Sequence, residues 1–393
     1  MNASRHAAAS VVEVLIQLSS DEVSRVRIEK ITVYIGELSY AGKAYSFSQG
    51  RIYTAFPTTV VALKTDTGIT GYGEVCPCGP AYMPAYAEGV IPALEQLAPV
   101  VLGEDPTHTL SLMRRMDLAL NGHGFAKTPI DLACWDILGK HSELPVHVLL
   151  GGRMMESIPI HRVVPLGTPD ETLASVDELR ARGYGHFQIK LGLGVAEDIA
   201  TMQTVCASAR PGEVFVGDAN AAWNRTEAIR ISRGLREQDC MLEQPCTATV
   251  DCITVRPQLL HPVKLDESLG SLAEVRAAIA ANAMDAIAIK LSKFGGITRS
   301  RVIRDLCVDA GIAMTIEEAW GSGIASAASA HLAISTAPEA LLNGTDIHNY
   351  NSNQIAHGAP EVDNGHMKVA DRPGLGTEPD FDALGDPVRE FKR

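Results

Sequence analysis

Five residues stand at a spacing that chemistry can use: Lys190, Asp218, Glu243, Asp266 and Lys290, separated by 28, 25, 23 and 24 residues. Each ends a short apolar run, and each interval approaches the roughly 30 residues of one strand-plus-helix unit. A single acidic residue after a strand is ordinarily a helix N-cap. Three carboxylates flanked by two lysines, all at the same station of successive units, are poorly explained by capping. Three carboxylates offer only oxygen donors, and no histidine stands at these stations. Such a set suits a hard cation, Mg2+ with Mn2+ able to replace it, better than zinc. Asp218, Glu243 and Asp266 are the expected ligands. A proton on the carbon beside a carboxylate is very weakly acidic, so its removal requires the enediolate charge to be delocalised into that carboxylate and neutralised there. Lys190 and Lys290, on either side of the substrate, can then take a proton from one face and return one to the other. At least one must be neutral near pH 7, a state that partial burial and a nearby cation favour.

The elements that must hold these residues follow from the apolar runs. Residues 158–164, 186–190, 214–218, 241–243, 263–266, 286–290, 313–316 and 340–342 are β-type and alternate with helical segments. That alternation predicts an α/β fold, a (β/α)8 (TIM-like) barrel over residues 151–350, with active-site residues at the C-terminal ends of its strands. An open doubly wound sheet is the competing architecture, but no GxGxxG follows an early strand. Ahead of the barrel, runs at 26–35, 58–65 and 71–74, with the turn Asp66-Thr67-Gly68, predict an antiparallel meander. Residues 85–141 read as helices broken at Gly103-Glu104-Asp105-Pro106 and at Gly122-His123-Gly124. Together they make an α+β capping domain at 26–150, to which the polar tail, 351–393, is expected to return. Residues 1–25 read as a loosely ordered extension.

Composition removes several functions. The net charge of −13, with no basic cluster, argues against a nucleic-acid partner. No apolar run approaches the ~20 residues that span a bilayer, so no membrane partner and a cytoplasmic location are expected. The eight cysteines lack CxxC spacing and suggest neither a disulfide framework nor a zinc site.

In order, the motifs Gly71-Tyr72-Gly73-Glu74, Lys127 through Asp136, Leu149-Leu150-Gly151-Gly152, Asp218-Ala219-Asn220, Glu243-Gln244-Pro245, Asp266-Glu267-Ser268, Lys290 through Gly296 and Pro373-Gly374-Leu375-Gly376 resemble the enolase superfamily. The likeness is to its muconate lactonizing enzyme subgroup (mandelate racemase/muconate lactonizing enzyme-like) and covers nearly the whole chain from about residue 26. It implies Mg2+ on Asp218, Glu243 and Asp266, Lys190 and Lys290 as the acid/base pair, a small carboxylate substrate and a homo-oligomer. Asn220 and Glu267 are then expected to orient the ligands. One position departs from the subgroup, which carries Lys-x-Lys at the end of strand two. Here Gln188-Ile189-Lys190 keeps the base and replaces the neighbouring charge with an amide that can still donate a hydrogen bond. Lys293, three positions on, is the alternative residue for strand six; Lys290 is favoured because it ends the apolar run, and Lys293 reads as facing the helix side or solvent. Within the subgroup, Gly122 through Lys127, Glu243-Gln244-Pro245-Cys246 and Glu318-Ala319-Trp320-Gly321 are most similar to hydroxyproline betaine epimerases and cis-3-hydroxyproline dehydratases.

Specificity is less legible. Glu317, Glu318 and Trp320 suit a positively charged nitrogen through ion pairing and cation–π contact, or form a helix N-terminus with a packed indole. Tyr45 and Tyr53 bracket a loop that either completes the substrate pocket or packs at a domain seam. His123 and Lys127 read as capping or surface residues. The leading expectation is racemisation or epimerisation of an amino-acid derivative, proline- or hydroxyproline betaine-like, by an isomerase. The alternative is dehydration, by a lyase, of a 3-hydroxy amino acid such as cis-3-hydroxyproline or of a sugar acid. Both begin with the same proton abstraction.

Overall fold

The computed structural model describes residues 26–46 and 50–393, so the expected extension at 1–25 lies outside the described residues. Strand β1 (Ile28–Ser39) pairs antiparallel with β2 (Ala55–Thr65), which pairs antiparallel with β3 (Thr70–Val75). Gly68 takes the left-handed conformation the turn between β2 and β3 requires, φ 87°. The C-terminal strand Arg389–Lys392 adds to the free edge of β1, so the chain's end completes this sheet. Helices α1 (Val90–Val101), α2 (Thr109–Ala119) and α3 (Gly124–His141) follow. Nearly every residue of α3 is buried, because β3 lies on one side of it and the barrel on another. Gly71 and Gly73 allow this: a Cβ at either would lie 2.2 Å from the Ala133 carbonyl oxygen or 2.0 Å from that of Pro129.

Asp131, buried in α3, ties the cap to the barrel by accepting from the Thr298 backbone N–H at 3.0 Å. Burial pushes its pKa up to about 7, against the pull of the hydrogen bonds from Thr298. Because the folded value lies above the unfolded one, about 4, the stability linked to Asp131 is fully present below about pH 4 and lost as pH rises through about 7. The melting temperature should therefore fall more steeply between pH 5 and 8 for the wild type than for Asp131→Asn. Equal slopes would remove Asp131 from the pH response.

Eight parallel strands follow: β4 (His161–Val164), β5 (His186–Lys190), β6 (Val214–Asp218), β7 (Met241–Glu243), β8 (Val263–Leu265), β9 (Ala286–Lys290), β10 (Ala313–Glu317) and β11 (Leu341–Gly344). They pair in chain order, and a parallel bridge from Ile160 to Gly344 brings the last beside the first, giving the (β/α)8 barrel. The first strand is shorter than the run at 158–164. Ile158–Pro159 instead pairs with His366–Lys368, and Pro159 lacks the N–H a central ladder needs. The seventh strand runs one residue further than expected, through Glu317.

Glu74, near the end of β3, fastens cap to barrel. Its carboxylate accepts from the Ser322 N–H (3.0 Å) and hydroxyl (2.6 Å), the Ala325 N–H (3.1 Å) and the Thr58 hydroxyl (2.8 Å). Ser322 caps the helix Gly323–Ile334, so the negative charge lies at a helix N-terminus that favours it. Glu74→Ala strands these donors and should cost about 3 kcal/mol in urea unfolding, with Glu74→Gln costing less. An unchanged midpoint for the alanine variant would refute this fastening role.

Candidate active site

Side chains alternate along a strand, so residues two apart on a barrel strand share the interior face. Pairing then sets the stations side by side: Lys190 opposite Asp218, Asp218 opposite Glu243, and Lys290 opposite Glu317. All five residues of the repeating pattern are buried at the C-terminal strand ends. Lys190 Nζ donates to Asp218 Oδ2 at 2.6 Å. Lys290 Nζ pairs with Asp266 Oδ2, and with Glu317 Oε1 at 3.1 Å. Glu243 Oε2 accepts from Gln188 Nε2 at 2.6 Å and pairs with Lys264 Nζ at 2.8 Å. The Asn220 amide donates to Asp218 Oδ2 (3.1 Å) and Glu267 Oε1 (2.9 Å), tying the two acids together.

One residue departs from the sequence reading, and another was not singled out by it. Lys293 does not face the helix side or solvent; its Nζ donates to Asp266 Oδ1 at 2.9 Å and to the Asp266 carbonyl at 2.7 Å. The short helix Leu291–Phe294 turns the chain sharply after β9 and returns residue 293 to the mouth. Tyr82, on the loop after β3, donates its hydroxyl to Asp266 Oδ2 at 2.9 Å. Nothing in the sequence pattern marked it, because its position depends on how the cap docks. Cys78, on the same loop, has left-handed backbone, φ 58°. Burial pushes its thiol up to about 12 despite the charges of Lys290 and Lys190.

The acids are close enough to disturb one another. Burial raises the Glu243 pKa to about 7, with Lys264 pulling it down and Asp218 and Asp266 pushing it up. Glu267 rises to about 8, through burial and then the charges of Asp266 and Asp218. Burial opposes ionisation of Asp266 too, but Lys290 and Lys293 hold its carboxyl well below the usual carboxylate range. For Lys290, burial favours the neutral amine as anticipated, yet Asp266 and Glu317 outweigh it and its pKa lies well above the ordinary value.

The donor set suits a hard cation in chemistry, although its acids are engaged with ammonium groups. Among the described residues, no three His, Cys, Asp or Glu side chains form a ready-made metal cluster. Lys190 draws on Asp218, and Lys290 and Lys293 draw on Asp266. Glu243 Oε1 and Glu267 Oε2 nevertheless lie buried without a hydrogen-bond partner. Buried carboxylate oxygens are seldom left so, and they supply oxygen donors of the kind magnesium takes.

The family model described as "Enolase C-terminal domain-like" matches residues 171–383, and that of the "Mandelate racemase / muconate lactonizing enzyme, N-terminal domain" matches residues 40–151. The chain belongs to the enolase superfamily. It is 40% identical over 366 residues to a cis-3-hydroxy-L-proline dehydratase from Roseibium aggregatum, covering 93% of this chain and 100% of that one. An N-succinyl-L-Arg/Lys racemase from Bacillus cereus is 28% identical over 336 residues, covering 84% and 90%. A solved enolase superfamily member from Roseovarius nubinhibens, complexed with magnesium, superposes with a TM-score of 0.90 at 35% identity, covering 94% of this chain and 100% of that one. No helix of the described residues is long and apolar enough to cross a membrane.

In this superfamily enzyme the residues expected to contact substrate fall into different places. Glu317 points into the barrel, between Lys290 and His161 Nε2 at 3.5 Å. Glu318 turns the other way, accepting from the Ser292 N–H (3.0 Å) and hydroxyl (2.5 Å), and so braces the turn after β9. Trp320 is buried, with its ring 4.1 Å from Phe56 and 5.0 Å from Tyr45 between centroids, and its N–H donates to Asn351 at 2.8 Å. Tyr53 packs against Phe56 with the rings tilted and their centroids 5.4 Å apart, so Tyr45, Tyr53 and Trp320 form one aromatic cluster around Phe56 at the cap–barrel seam. Burial raises the Tyr45 pKa well above its ordinary value, with Tyr350, Cys78, Tyr40 and lastly Asp218 adding to it. His123 lines a cavity of about 280 Å3 that also touches Glu267 and Lys293, while Lys127 pairs with Asp117 at 2.9 Å.

Proposed function

We propose that this enzyme dehydrates a 3-hydroxylated cyclic amino acid, with cis-3-hydroxyproline as its substrate class, by removing the proton α to the carboxylate and expelling the β-hydroxyl as water. The observation that carries the α-proton chemistry is the placement of Lys190 and Lys290 on β5 and β9, the second and sixth strands of an eight-stranded barrel, and therefore across the mouth from one another. In the cis isomer the hydroxyl and carboxylate share one face of the ring, so the α-proton lies on the other. Groups on opposite sides of the ring are what an anti elimination needs. One lysine, as the neutral amine, takes the α-proton; the C2=C3 bond forms as the C3–O bond breaks; the other, as ammonium, protonates the departing hydroxyl. The enamine so formed tautomerises to a cyclic imine, and the balance is substrate to imine plus water. Asp218, Glu243 and Asp266 would hold Mg2+, which supplies neutralisation of charge on the substrate carboxylate. The 40% identity to a cis-3-hydroxy-L-proline dehydratase along that relative's whole length supports the substrate class.

Racemisation or epimerisation of a proline-like derivative is the second reading. The same lysine pair can return a proton to the opposite face, and the likeness to an N-succinyl-L-Arg/Lys racemase favours it. Incubation with cis-3-hydroxy-L-proline, its trans isomer, and D- and L-proline betaines, with Mg2+ in deuterated water, separates the two. Dehydration should give an imine with loss of one water from the cis isomer. Deuterium entering the α-position with inversion, and no loss of water from any substrate, would move the assignment to an isomerase.

A further inference from the structure

We infer that Lys264, buried inside the barrel, is the positioning residue that fixes Glu243 as a cation ligand and carries the charge that position 188 lacks. The inference rests on the metal-site reading above and concerns a residue to which the pattern of strand-end stations gave no role. Lys264 lies two residues before Asp266, so its side chain enters the interior about 7 Å beneath the mouth. There its ammonium is 2.8 Å from Glu243 Oε2, with both side chains buried. Gln188 Nε2 approaches the same oxygen to 2.6 Å. One oxygen of Glu243 is thus held from two strands while the other, Oε1, is buried without a partner. A carboxylate pinned through one oxygen keeps the other at a fixed place for a cation.

Charge pairing gives the same answer. Asp218 pairs with Lys190, Asp266 with Lys290 and Lys293, and Glu317 with Lys290. Among the described residues, Lys264 is the cationic side chain in ion-pair contact with Glu243. Without it a buried carboxylate would have only the Gln188 amide, a costly arrangement. Lys264 is in turn steadied by Thr315 Oγ1 at 3.4 Å, which donates to Asn343 Oδ1 at 2.9 Å. At position 188, where subgroup members carry a second lysine, this chain has an amide touching the same oxygen. The charge has been moved from strand β5 to strand β8, onto the same carboxylate oxygen.

The test is a double-mutant cycle on the full chain, reading the Mn2+ dissociation constant by electron paramagnetic resonance and the fold by circular dichroism. Lys264→Met should weaken Mn2+ binding at least tenfold, in the range found when residues that orient metal ligands are removed. Gln188→Lys alone, placing two ammonium groups on one oxygen, should also weaken it. Q188K/K264M, with one charge restored from the other strand, should return to within about threefold of wild type. Tight binding by K264M, or additive losses in the double variant, would overturn the inference alone. A wild-type protein that takes up no Mn2+ would overturn the metal reading, and the inference with it. If K264M does not fold, recovery of fold and Mn2+ binding together in Q188K/K264M supports the proposal, and a double variant that also fails to fold overturns it.

Discussion

Lys290→Met and Lys190→Met are each expected to slow turnover by about three orders of magnitude, within the range that a positioned acid or base supplies. Their value lies in how the two losses differ. In a dehydration with one base and one acid, loss of the base abolishes both α-proton exchange and water release. Loss of the acid leaves exchange running while water release fails. In a racemisation each lysine serves one enantiomer, so each variant keeps exchange on one enantiomer and loses it on the other. Exchange followed by proton NMR on each single variant therefore assigns both the reaction class and the base. Lys293→Met is the control, because Lys293 also reaches Asp266. It should weaken metal binding and, at saturating Mg2+, spare exchange. If Lys293→Met abolished exchange and Lys290→Met did not, the strand-six role would pass to Lys293.

The sequence made the strand-end stations visible because a β/α unit has a nearly constant length and a strand has a period of two, so four intervals sufficed to place five residues. The same period of two could have exposed Lys264. Val263-Lys264-Leu265-Asp266 alternates, and a lysine two before an inward-facing acid must face inward as well. The lysine is masked because the run reads as an apolar strand. Glu317 and Glu318 show the opposite difficulty. They are adjacent acids of one type, yet only the one continuing the strand's interior face reaches Lys290, and a strand end predicted one residue short could not separate them. Lys293 and Tyr82 were beyond pattern altogether. One is carried by a short helix that reverses the chain, the other by a loop whose place is set by Gly71, Gly73 and Glu74 docking the cap.

Asp266→Asn is expected to remove the thermal response to magnesium entirely. A ligand that binds only the folded state stabilises it by about 2.7 kcal/mol at a hundredfold excess over its dissociation constant. For a chain of this size that corresponds to an upward shift of a few degrees in melting temperature on adding Mg2+ after chelation. Asp266 faces Lys290, Lys293 and the Tyr82 hydroxyl, so its carboxylate is the most heavily shared group at the mouth. Neutralising it leaves Lys293 with neutral oxygens only, the amide and backbone carbonyls, and leaves Lys290 with Glu317 as its carboxylate partner. The loss of a partner for a buried charge should lower the stability of the metal-free protein by about 3 kcal/mol, a cost separate from the lost metal response. Glu243→Gln should also abolish the magnesium shift, but for another reason: it leaves Lys264 without its carboxylate and makes the unpartnered Oε1 position a weaker donor. The two variants thus fail through different lysines. An Asp266→Asn protein that keeps the wild-type magnesium shift would exclude Asp266 from the cation site, whatever its activity.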